Sequence, residues 1–88
     1  MSVNPRDEFV KTWLNRRWKT SGAGAKWQNI RGFNVSVVRD FDDPSTWKWR
    51  LKSIDSDVEE FSSDLFDSEQ FAKRDVLLKL AGKLGIGN

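Results

Sequence analysis

The sequence predicts an α+β fold, a three-stranded antiparallel sheet with two helices packed on one face, in the order αβββα. Two observations point there. Apolar residues recur at helical spacing near both ends of the chain, and between those ends they alternate with polar residues at strand spacing. At 88 residues the chain reads as a single domain, 1–88, with one modest core. Five Trp and six Phe make that core aromatic.

The first helix is expected over about residues 5–18. Asn4 suits an N-cap, Pro5 the first helical position, and Asp7 and Glu8 complement the dipole of the first turn. Val10, Trp13, Leu14, Arg17 and Trp18 then recur at i, i+3, i+4, i+7 and i+8, which places Trp18 in the buried stripe. Thr20-Ser21-Gly22-Ala23-Gly24 ends the helix, and residues 19–32 read as a basic, glycine-containing loop in which Ala25 to Ile30 is either a short extra strand or loop. Phe33, Val35, Val37 and Phe41 mark the first strand, and Asp42-Asp43-Pro44-Ser45 a turn. Trp47, Trp49 and Leu51 share one face of the second strand, opposite Lys48, Arg50 and Lys52. After Asp55-Ser56-Asp57, Val58 to Ser63 forms a third strand with Phe61 inward. The last helix, about 68–84, starts with Asp67 as N-cap and Gln70 three residues on, and buries Ala72, Val76, Leu77, Leu80, Ala81 and Leu84.

Absences narrow the function. His, Cys and Tyr are all missing, which removes the commonest general base, thiolate metal sites and the usual partner of a serine nucleophile. No enzyme, cofactor or metal is therefore expected. "DFDD" and "DSDVEE" read as turns, because the second lacks the sixth-position glycine and twelfth-position carboxylate of a calcium loop. "SGAGAK" lacks the spacing of a phosphate loop. No apolar run is long enough for a membrane span, and the start "MSVNPRDE" has no apolar leader region, so a cytoplasmic location is expected.

Charge is unevenly spread. Residues 1–39 carry eight Lys/Arg against two acids, a balance of +6, and residues 40–75 five against eleven, a balance of −6. The stretch Asn15 to Phe33 contains no acid. Arg16, Arg17, Lys19, Lys26 and Arg31 are therefore candidates to meet phosphates, with Trp27 as a stacking residue. Alternatively, these cations form a solvated face or pair with the acidic half, and Trp27 belongs to the core. Lys48, Arg50, Lys52, Lys73 and Arg74 form a secondary basic patch, part of which Glu59 or Glu60 is expected to neutralise across strands.

The pieces "NPRDEFVKTWLNRR", "FNVSVVRD" and "SSDLFDSEQFAKRDVLLKLAGKL" resemble the first helix, the central strand, and the last strand and second helix of the double-stranded RNA-binding domain. That resemblance implies RNA binding through lysines at the start of the second helix. Here the matching start, Asp67-Ser68-Glu69-Gln70, is acidic and only Lys73 and Arg74 follow. "WKWRLKSIDSDVEEFSSDLFDSEQFAKRD" is similar to the YegP-like family of short bacterial domains, which implies the sheet and one helix. The expected partner is RNA or DNA. The competing expectation is a protein-interaction module, an accessory subunit, inhibitor or regulator, without nucleic-acid contact.

Overall fold

A computed structural model describes residues 4–87. The fold is α+β, with helices at both ends and an antiparallel sheet between them, but the sheet has five strands rather than three. Helix α1 spans Pro5–Leu14; strands β1 to β5 span Lys19–Thr20, Lys26–Ile30, Phe33–Arg39, Trp47–Ser53 and Glu59–Phe61; helix α2 spans Glu69–Lys83. The strands lie in chain order, a simple meander.

Helix α1 begins as its sequence dictates, with the Asn4 side chain accepting from the backbone N–H groups of Arg6 and Asp7. It stops at Leu14, four residues short of Trp18. The backbone carbonyl of Trp13, which a longer helix would bond to the N–H of residue 17, instead accepts from the Gln28 side-chain amide at 2.9 Å. Gln28 is itself buried, so this bond removes a polar burden from the sheet as it ends the helix.

The glycine run does not terminate a helix; it turns a hairpin. Ser21 N–H donates to the Ala25 carbonyl at 2.8 Å and Gly24 N–H to the Ser21 carbonyl at 3.0 Å. Gly24 sits at φ +87, backbone that glycine adopts without a Cβ penalty. This closes β1 on β2, with Lys19 opposite Trp27 and Thr20 opposite Lys26. A second tight turn, Arg31-Gly32, joins β2 to β3 with both residues at positive φ, 46 and 85, the signature of a type I′ hairpin.

One face of the sheet is covered. Gln28, Ile30, Val35, Val37, Trp49 and Leu51 are all buried, and the cross-strand register puts them on the same side. Helix α2 packs over β3 and β4 on that side with Ala72, Val76, Leu77, Leu80 and Ala81, and α1 lies against α2 through Phe9 and Val10. Burying each large aliphatic side chain here stabilises the fold by about 1.5–3 kcal/mol. The helices therefore cover the face that carries Phe33, Val35, Trp47, Trp49 and Leu51, as the alternation predicts. Helix α2 is tied down by the Trp49 indole N–H, which donates to Asp75 at 2.7 Å, and by Glu60, which pairs with Lys79 and Lys83.

Three expectations fail in detail. Phe41 lies beyond the end of β3 and is 91 % exposed. Phe61 faces away from the helices, because the register puts it opposite Arg50 while Glu60, opposite Leu51, takes the inward position. The cap of α2 is Ser68, whose side chain accepts from Phe71 N–H at 3.1 Å, not Asp67.

Candidate nucleic-acid interface

The acid-free stretch folds as the C-cap of α1 and the segment after it, the β1–β2 hairpin and the Arg31 turn. None of Arg16, Arg17, Lys19, Lys26 or Arg31 forms an ion pair among the described residues. Three of them rest instead on aromatic rings: Arg16 on Trp13 at 4.8 Å, Lys19 on Trp27 at 4.9 Å and Arg31 on Phe9 at 5.8 Å. An aromatic face attracts a cation without cancelling its charge. The Lys26 ammonium donates to the Thr20 hydroxyl at 2.8 Å, which likewise leaves the charge in place.

These residues do not form one tight cluster. Arg17 and Lys19 line a surface pocket with Trp18 and Thr20. Lys19 and Trp27 are cross-strand neighbours on the uncovered face of the sheet. Lys26 and Thr20 sit on the opposite side at the same end. Arg31 lies in the turn just past the far end of β2, whose span from Lys26 to Ile30 is about 13 Å at the usual strand rise.

Trp18 follows α1 rather than belonging to it, and still packs against the core. The Lys73 ammonium lies 4.9 Å from its ring centroid and bonds Glu69 at 2.8 Å. Lys73 is buried by these contacts, so this member of the secondary patch is a structural side chain. Lys48 and Arg50 are also engaged, with Asp40 at 3.5 Å and with Glu59, to which the Arg50 Nε donates at 2.7 Å. The predicted neutralisation by Glu59 is therefore present. Lys52 stands opposite Glu59 in the register without an ion pair among the described residues. Arg74 lines a separate groove between the helices with Asp7, Val10, Lys11, Leu14 and Leu78. The secondary patch is thus divided between the sheet's open face and the helices.

The first acidic run does turn chemistry, whereas Glu59 and Glu60 of the second lie on β5 and form ion pairs rather than a turn. Asp40 accepts from Asp43 N–H at 3.0 Å, and Asp43 accepts from the Ser45 hydroxyl at 2.6 Å. Among the described residues no His, Cys, Asp or Glu side chains gather as a metal site, and no helix is long and apolar enough to cross a membrane.

Sequence reasoning placed Lys48, Arg50 and Lys52 on the outer face of the sheet but missed the part of that face that β1 and β2 contribute. The register brings Lys19, Trp27, Ser36, Arg50 and Phe61 into one row across all five strands. Once β1 and β2 join the sheet, Trp27 is neither a core nor a loop residue: it is half-buried on that face. The chain matches no family model, and comparison with curated proteins and with solved structures found no match.

Proposed function

We propose that this chain is a non-catalytic nucleic-acid-binding domain that meets RNA or DNA phosphates with Arg16, Arg17, Lys19, Lys26 and Arg31. The observation that supports it most is a contrast. The ion pairs among the described residues use Lys48, Arg50, Lys73, Lys79 and Lys83, all from the later part of the chain. The cations of the acid-free stretch are left to aromatic rings, a hydroxyl and solvent. Cations in that state attract phosphate and release its condensed counterions on contact. Trp27 adds an aromatic face beside Lys19. The resemblance to the double-stranded RNA-binding domain supports the same class of ligand. Its phosphate-gripping helix start has no counterpart here, where Glu69 holds Lys73.

The test is a titration of labelled RNA and DNA with the wild-type chain and an Arg16→Gln/Arg17→Gln variant, at about 50 and about 200 mM salt. Wild type is expected to bind at the lower salt and weaken steeply at the higher, with the variant weaker at both. No binding at the lower salt removes the proposal. One observation favours a second reading, a protein-interaction module. The acidic start of α2 lies next to exposed Leu65 and Phe71, a surface that repels phosphate. Co-purification of a protein that survives nuclease treatment and moderate salt would favour it.

A further inference from the structure

We infer that the ligand of this domain is single-stranded nucleic acid, laid across the uncovered face of the sheet along the row Lys19–Trp27–Ser36–Arg50–Phe61. This inference rests on the nucleic-acid reading above and deepens it.

The row follows from the register. Lys19 pairs with Trp27, Trp27 with Ser36, Ser36 with Arg50 and Arg50 with Phe61, one residue from each strand. Direct cross-strand neighbours share a face, so the row crosses the sheet without interruption. At the usual strand spacing, Trp27 and Phe61 stand about 14 Å apart, with only Ser36 and Arg50 between them. The helices lie on the other side, and nothing among the described residues covers this row.

Phe61 is the telling member. It is the last residue of the three-residue edge strand β5, is 62 % exposed, and contributes nothing to the core. Both ends of the row pair an aromatic with a cation: Lys19 over Trp27, and, opposite Phe61, Arg50, which exchanges its Glu59 partner for phosphate when the strand binds. A stacked base needs an aromatic face, and its phosphate needs a neighbouring cation. Bases within a duplex stack on one another and offer no free face, so the exposed Phe61 ring and the half-buried Trp27 ring select unstacked bases. Asn29 and Asn34, joined by a 2.9 Å hydrogen bond on the same face, and Lys52 beside them add polar groups for base edges and backbone.

Charge favours an anionic strand over an acidic or neutral peptide. The strand residues of this face include Lys19, Lys48, Arg50 and Lys52 against Glu59 alone, with Asp40 just beyond the end of β3. Arg17, beside Lys19 in the adjacent pocket, extends the positive path past the edge of the sheet.

The experiment is fluorescence anisotropy of a labelled single-stranded oligonucleotide of about ten nucleotides, compared with the same sequence as a duplex. The full chain, Phe61→Ala and Phe61→Leu are measured together. Phe61→Leu keeps the apolar bulk and removes the π-face, so it carries the test if the alanine variant melts early. Expected are tighter binding of the single strand than of the duplex, and a loss of single-strand affinity between about fivefold and about 100-fold in both variants. Phe61→Trp is expected to restore it. Equal or tighter duplex binding, or single-strand affinity unchanged in Phe61→Leu, overturns the row and leaves phosphate binding by the basic stretch intact. No binding of either form at low salt overturns both.

Discussion

Arg31 occupies a backbone position that suits asparagine or glycine, the first central residue of a type I′ hairpin, at φ 46. An L-residue with a Cβ pays for left-handed backbone, and Arg31 recovers part of that cost by lying over Phe9. The residue is therefore better explained by its charge than by the turn. Arg31→Asn and Arg31→Gln both remove the cation, but only asparagine eases the backbone. The asparagine variant is expected to be more stable than the glutamine variant by about 1 kcal/mol, read as a melting difference of roughly 4–8 °C. Both are expected to bind nucleic acid more weakly than wild type. At this scale the sequence was partly legible. The acid-free stretch marked Arg16, Arg17, Lys19, Lys26 and Arg31 as candidates but left open whether the acidic half pairs with them, and among the described residues it does not. Lys73 was misplaced because its partner Trp18 comes from a distant part of the chain, and no local pattern shows that contact.

The elements were legible where their periodicity was long and unopposed. Both helices, β3 and β4 follow their apolar spacing. β1 and β2 did not show it, for separate reasons. β1 has only two residues, too few to alternate. β2 alternates with the wrong sense, since polar Gln28 faces the core while Trp27, its largest apolar residue, faces out. Gln28 is inward because it caps the carbonyl end of α1, a tertiary demand invisible in sequence. The end of β5 inverted Phe61 for a similar reason: Glu60 turns inward to meet Lys79 and Lys83 on α2. The β4–β5 pair also carries a testable restraint on the open face. Glu59 holds Arg50, and both side chains are partly exposed, so the pair adds about 1 kcal/mol of stability at most. Glu59→Gln is expected to leave the melting temperature nearly unchanged. It should tighten single-strand binding and steepen its logarithmic salt dependence by about 0.7 for the one cation released. Weaker binding in that variant would show that Arg50 does not face the ligand.

Across the whole molecule, charge is sorted rather than balanced. The carboxylates of the later strands and α2 pair with cations of that same region, at Lys48, Arg50, Lys73, Lys79 and Lys83, and do not reach back to the first hairpin. The meander explains why. β1 and β5 are opposite edges of the sheet, so the acidic end of the strand region at β5 and the basic β1–β2 hairpin are kept apart by the two strands between them. The fold thus preserves the charge separation already visible along the chain, and exposes its positive end. The most direct measurement is the affinity of the wild-type chain for a single-stranded oligonucleotide across a salt series. If all five cations meet phosphate, log Kobs should fall against log salt with a slope of about −3.5, shallower by about 1.4 in Arg16→Gln/Arg17→Gln. A slope near zero, or the same slope in the double variant, would contradict an outward-facing cationic surface made by this stretch.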